Sequence, residues 1–143
     1  MTIDIRVLGK DDDTILRRVA PGVFDHDIDE RLTREFLHDP RHHIAVAIEE
    51  GVVVGFASAV HYIHPDKPAE LWINEVAVAS THQNQGIGKR LLQAILEVGR
   101  KYGCGEAWVL TDRTNLPAMR MYTSVGGIED PHDSVMFTYY LDR

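Results

Sequence analysis

Gln83-Asn84-Gln85-Gly86-Ile87-Gly88 is the stretch whose residue types and spacing bear most directly on chemistry. It stands between an apolar run at 71–79 and a segment that places Leu91, Leu92, Ile95 and Val98 at helical spacing. Glycines at a helix start let the backbone approach a bulky anion, and the unpaired N–H groups of the first turn then face it with the helix dipole behind them. The stretch therefore reads as a phosphate or pyrophosphate cradle. A P-loop would need Lys-Ser or Lys-Thr after the last glycine, where Lys89-Arg90 stands. A dinucleotide site would need a third glycine where Leu91 stands, although Asp112 lies near the expected ribose partner. Taken alone, the motif leaves open a helix that merely starts with glycines.

The elements that would position this stretch follow from periodicity. Ile3, Ile5 and Val7 alternate with polar residues, so 3–8 is predicted as a strand. Asp11 to Asp13 can cap a short helix through Arg18, ahead of Pro21-Gly22. Ile28, Leu32, Phe36 and Leu37 predict an amphipathic helix over 28–38, ended by Asp39-Pro40. Segments 43–49 and 52–62 are β-branched and apolar, with Glu50-Gly51 as a hairpin turn. After the strand at 71–79 and a helix from Gly86 to about Tyr102 come a strand at 106–111 and a helix N-capped by Asn115, with Pro117 in its first turn. A last strand is expected at 134–141. The order implies a mixed α/β sheet with helices on its faces.

A length of 143 residues suits one domain, and 44% hydrophobic residues support a core. A net charge of −7 argues against nucleic acid as the main partner and permits a cationic substrate. The lone Cys104 excludes an intramolecular disulfide and fits a reducing compartment. No apolar run resembles a signal peptide or a membrane span, so a cytoplasmic protein without membrane contact is expected.

Two ordered motifs carry a resemblance. Gln83 to Gly88 follows an apolar strand, and a second strand, Ala107 to Leu110, is followed by Asn115 and a helix bearing Tyr122. Over residues 43–140 the chain resembles the GNAT superfamily of acetyl-CoA-dependent N-acetyltransferases. The resemblance implies that fold, with six or seven strands and about four helices in a single domain over 1–143. It implies acetyl-CoA as cosubstrate, with no metal. The backbone of Val76, Ala77 and Val78 would hold the acetyl group and pantetheine arm. Gln83, Asn84, Gln85, Gly86, Ile87 and Gly88, with Lys89 at the rim, would hold the pyrophosphate. Asn115 and Ala118 would lie along the pantetheine, and Tyr122 would face the sulfur. Many relatives carry arginine where Gln83 or Asn84 stands, so Lys89 and Arg90 are expected to supply the positive charge. Dimers are common in the family. Val53 to Ala59, Ile73 to Val78 and Val135-Met136-Phe137 look most like small aminoglycoside 3-N-acetyltransferases, which carry an acidic residue where this chain has Glu75.

Acetyl transfer to an amine requires loss of an amine proton, a donor for the developing oxyanion, stabilisation of the leaving thiolate and alignment of both substrates. Glu75 is the expected general base, directly or through a water, against the alternative of a structural strand carboxylate. Tyr122 is the expected acid for the sulfur, against that of a core aromatic, and a backbone N–H near Val76 is the expected oxyanion donor. Asp25, Asp27, Asp29 and Glu30 belong to a segment, 25–39, with six acids against Arg31 and Arg34. They are either a solvated helix face or the rim of an acceptor cleft that attracts a polycation.

The eight histidines form poor metal sets. His42 and His43 are adjacent and would point to opposite faces of a strand, and His61 and His64 lack a partner at ligand spacing. His61 or His64 is a candidate for the acceptor site, and Cys104 reads as structural. The expected activity is direct acetyl transfer to a primary amine of a small polycation, with an aminoglycoside as the first-choice acceptor. The alternatives are a polyamine, peptide or protein amine, or a CoA-binding regulatory domain without turnover.

Overall fold

The computed structural model describes residues 2–142. Five strands form one sheet in sequence order: β1 (Asp4–Val7), β2 (His42–Glu49), β3 (Val52–Tyr62), β4 (Glu70–Val78) and β5 (Glu106–Val109). Strands β1 to β4 are antiparallel, and β5 joins β4 in parallel. Three α-helices accompany them: α1 (Glu30–His38), α2 (Ile87–Lys101) and α3 (Leu116–Ser124). The sheet is mixed, as expected, but it has fewer strands and helices than anticipated. The segment expected to form a short helix is a single 3-10 stretch, Asp13–Arg17. Among the described residues the expected last strand at 134–141 does not form, and the sheet ends at β5 on that side without it.

The hairpin between β2 and β3 turns at Glu50 and Gly51, both with positive φ (49° and 78°), the geometry whose twist matches the flanking strands. Asp29 starts α1 by accepting a bond from the Leu32 N–H at 2.8 Å. Strand alternation divides the sheet into two faces. Helix α2 packs Leu91, Leu92 and Ile95 against one face, over Leu71 and the strands that carry Val46 and Val53, all buried. On the opposite face Phe24 stacks on Phe56 at 4.0 Å, beside α1.

His43 and His61 belong to the α2 side. Their rings pack with Tyr102 at the end of α2, and His43 Nε2 lies 2.7 Å from His61 Nδ1. Burial, reinforced by the charges of His61, His42 and Lys101 and opposed by Asp39, brings the His43 pKa from 6.5 to about 4. Between these values the unfolded chain binds the proton and the folded chain does not, so stability rises with pH. The expected result is a loss of at most about 3 kcal/mol as pH falls from about 6.5 to about 4. Denaturant titrations across that window should show the loss, and His43→Leu should flatten the slope.

Candidate active site

Strand β4 carries the centre of the site. Its pairing to β3 runs from Val78 opposite Gly55 to Glu75 opposite Ser58, then resumes with Ile73 opposite Ala59. Asn74 is therefore the extra residue of a bulge. Asn74 and Glu75 are both exposed, although Leu71 and Ile73 just before them are buried. A bulge breaks the alternation of side chains and re-aims the residues beside it. It places Glu75 with Ser58, Phe56 and Phe24 in a cleft of about 310 Å³ on the α1 side of the sheet. A larger hollow of about 480 Å³ adjoins it, shares Leu16, Phe24 and residues 25–28, and extends to Arg17 and Glu30. The smaller hollow is the one that holds the strand carboxylate Glu75.

Asp25, Asp27 and Asp29 line the same cleft as Glu75. Partial burial raises the Glu75 pKa above the ordinary carboxylate value, and the charge of Asp25 raises it further. The acids of the segment are not equivalent. Asp29 is the helix cap, Glu30 Oε1 lies 3.1 Å from Arg17 Nε, Glu35 pairs with Arg31 at 3.5 Å and Asp39 with Arg41 at 3.4 Å. Asp25 and Asp27 remain as the acids that add negative charge near Glu75.

Beyond Glu75, β4 opens on its other edge. Strand β5 pairs with β4 only from Glu70 to Ile73, so Val76, Ala77 and Val78 have no β5 partner. Their backbone groups on that side are available to a ligand that runs like a strand. The cradle follows. Asn84 and Gly86 both take left-handed backbone conformations, with φ of 63° and 78°, and Gly86 is the N-cap of α2 without a side-chain cap bond. The first-turn N–H groups of Ile87, Gly88 and Lys89 are thus open to an anion. Gly88 has a different job. A Cβ there would meet Met121 Sδ at 2.9 Å, so its absence lets α3 approach α2.

Tyr122, one residue after Met121 on α3, is half-buried against the core, and burial raises its pKa above the ordinary value of 10. The phenol is therefore protonated at neutral pH. Asn115 caps α3: its Oδ1 accepts from the Ala118 N–H at 3.2 Å. Gln83 turns back on its own loop, donating from Nε2 to the Val78 carbonyl at 3.2 Å. Lys89 is exposed at the rim, whereas Arg90 donates to the Ile3 carbonyl at 3.2 Å. Of the two cations expected at the cradle, Arg90 is thus held toward the start of β1. These residues fit a CoA-type ligand by open strand edge, open helix start and left-handed loop.

Two other expectations shift. His61 packs on the α2 side of the sheet, and His64 Nε2 lies 2.9 Å from Glu70 Oε2 at the far end of β4, so neither is in the cleft with Glu75. Among the described residues, no group of three or more His, Cys, Asp or Glu side chains could hold a metal. Burial raises the Cys104 pKa, which disfavours its reactive thiolate. No helix is long and apolar enough to cross a membrane among those residues.

One contact was beyond reach of the sequence. His82, the residue before the cradle, places Nε2 at 3.0 Å from Glu49 Oε1 and Nδ1 at 2.7 Å from Thr81 Oγ1. Glu49 ends β2, so this pair ties the cradle to the β2–β3 hairpin across 33 residues of chain. His82→Ala should raise the KM for acetyl-CoA about fivefold with kcat nearly unchanged, matching a hydrogen bond of about 1 kcal/mol. Steady-state kinetics with acetyl-CoA varied would check this, and a fall in kcat alone would contradict it.

Residues 13–126 match the model of the acetyltransferase (GNAT) family. A 95-residue stretch is 33% identical to L-2,4-diaminobutyric acid acetyltransferase of Virgibacillus pantothenticus, covering 66% of this chain and 58% of that one. The chain spans about half the length of the curated relatives it matches. The fold is similar to that of an aminoglycoside acetyltransferase from an uncultured soil metagenomic sample, solved in complex with sisomicin. The TM-score is 0.83 at 24% identity, over 97% of this chain and 96% of that one. Aminoglycoside N-acetyltransferase AAC(6')-Iy in complex with CoA is similar at a TM-score of 0.73 and 24% identity, over 98% and 95% of the two chains. The chain belongs to the GNAT family of acetyltransferases.

Proposed function

We propose that this chain is a single-domain, acetyl-CoA-dependent N-acetyltransferase, acting over 1–143 on a primary amine of a small polycationic acceptor. The observation that carries the reading is the layout of β4: one strand presents Glu75 to an acidic cleft and, in the next three residues, an open backbone edge leading to the cradle. Acetyl-CoA would lie along Val76 to Val78 with its pyrophosphate on residues 83–88 and Lys89, and it supplies an acetyl thioester. Glu75 takes the proton of the incoming ammonium, so that the free amine nitrogen can form the new C–N bond. A backbone N–H near Val76 donates to the developing oxyanion. Tyr122 donates its proton to the sulfur as the C–S bond breaks, and the second proton on nitrogen leaves the tetrahedral adduct, so that the amide is neutral and the phenol is restored. Asp25 and Asp27 attract the polycation, and the raised pKa of Glu75 suits a base that works near neutral pH.

Aminoglycosides are the first-choice acceptors, as the bound sisomicin of a fold neighbour and the acidic cleft both suggest. The finer reading, the 3-N position, rests on the subfamily resemblance alone. The protein is read as a cytoplasmic homodimer, in keeping with its free cysteine and the habit of the family. Thiol release from acetyl-CoA across aminoglycosides, polyamines and peptides tests the reading. Release with aminoglycosides is expected, with an acceptor KM that rises with ionic strength. Release with peptides alone would move the acceptor to a protein amine, and a flat salt dependence would remove the acidic rim from recognition.

A further inference from the structure

The face of the sheet that carries Glu75 continues past the cleft. On β3 the side chains that alternate onto this face are Phe56, Ser58, Val60 and Tyr62, and the first two line the cleft. Pairing sets the rows beyond it. Ser58 stands opposite Glu75, Val60 opposite Trp72 and Tyr62 opposite Glu70, and Trp72 in turn stands opposite Trp108 of β5. Leu71 lies against Gly99 of α2, so Trp72 beside it points to the other face, the one with Glu75.

Trp72 and Trp108 are stacked, with ring centroids 5.3 Å apart and planes at 10°. Trp108 Nε1 donates to the Tyr62 hydroxyl at 2.8 Å, and that hydroxyl donates to Glu70 Oε1 at 3.4 Å. Glu70 is itself buried and fixed, with Oε2 at 2.9 Å from His64 Nε2 and 3.2 Å from Lys67 Nζ. The indoles are thus held in place before any ligand arrives. Yet Val60, Tyr62, Trp72 and Trp108 are only half-buried, whereas Ala59, Leu71 and Ile73 on the α2 side are buried. Helix α1 packs on β2, away from these rows, and α2 packs on the opposite face. An aromatic shelf, braced by hydrogen bonds, therefore begins one same-face step, about 7 Å along β4, from Glu75.

We propose that the Trp72–Trp108 shelf is a second acceptor subsite, which takes an amino-sugar ring adjoining the ring whose amine meets Glu75. The inference rests on the reading of the Glu75 cleft as the acceptor site, and it narrows the acceptor to amines of two or more rings. An indole surface covers the apolar C–H face of a sugar ring and attracts a nearby ammonium group through its ring quadrupole. The shelf is continuous with the cleft, and Asp25 and Asp27 in that cleft complement the same cation. Strand β4 then sets an order along its length: shelf at 70–73, base at 75, open edge for acetyl-CoA at 76–78. The body of the acceptor and the thioester approach the base from opposite ends of the strand.

The chain has two tryptophans and both are on the shelf, so their fluorescence reports on it directly. Titration of the unaltered protein with sisomicin, a three-ring aminoglycoside, without acetyl-CoA should change the tryptophan emission saturably. The single ring of 2-deoxystreptamine should change it far less. In Trp72→Leu the KM for sisomicin should rise about tenfold, with the loss carried by KM rather than kcat and the KM for acetyl-CoA unmoved. Trp72→Phe, which keeps an aromatic surface, should recover most of the loss. Thiol release with sisomicin but an unmoved KM in Trp72→Leu, equal rises in the KM of both substrates, or emission indifferent to sisomicin would overturn the shelf and leave the acetyl-transfer reading standing. No thiol release with any amine would overturn both.

Discussion

Glu75→Gln is expected to lower kcat/KM for the acceptor by about 100-fold at neutral pH, the lower end of what a positioned general base contributes and equivalent to about 2.7 kcal/mol of barrier. Glutamine keeps the size and much of the hydrogen bonding of the side chain, so a structural carboxylate would tolerate the change far better. The pH profile separates the two roles. In the unaltered protein the rate should fall on the acid side as Glu75 protonates, at a pH above the ordinary carboxylate range, because burial and the charge of Asp25 both favour the protonated form. Glu75→Gln should abolish that limb. Asp25→Asn removes a neighbouring negative charge, makes ionisation of Glu75 easier, and should move the limb to lower pH. An unchanged profile in Glu75→Gln would remove Glu75 from the mechanism.

Tyr122→Phe is the second large effect. The ring is half-buried against the hydrophobic core, and phenylalanine preserves that packing. Loss of the hydroxyl alone should slow transfer at least about tenfold, as expected for a missing general acid, while acetyl-CoA affinity changes less than about twofold. Because burial raises the Tyr122 pKa above 10, the acid form persists through neutral pH, and no basic limb from this group is expected below about pH 10. Equal losses of rate and CoA affinity, measured by single-turnover kinetics and calorimetry, would assign Tyr122 to packing.

What the sequence disclosed and what it withheld divide along physical lines. The turn ahead of α2 was legible because left-handed backbone at a helix start favours glycine, and Gly86 takes that conformation. The hairpin at Glu50-Gly51 and the cap at Asn115 are likewise local, each decided within a few residues. The bulge at Asn74 was hidden, since register exists only once β3 lies beside β4. The pairing of Glu49 with His82, and of Arg17 with Glu30, depends on distant backbone coming together. The acidic segment was visible as composition, but its division into a cap (Asp29), acids paired with arginine (Glu30, Glu35 and Asp39) and two acids that line the cleft with Glu75 (Asp25 and Asp27) required the fold. Periodicity also named 134–141 as a strand, but it contained nothing about a partner for it.

The most direct test of the central claim is rapid mixing of the protein with acetyl-CoA, with and without an aminoglycoside, followed by mass analysis of protein and acceptor. Direct transfer within a ternary complex, with Glu75 and Tyr122 handling the protons, predicts thiol release only when the amine is present. The acetyl group should then be found on the amine and never on the protein. Acetylated protein in the absence of amine, or tight CoA binding with no release to any amine, would contradict the account.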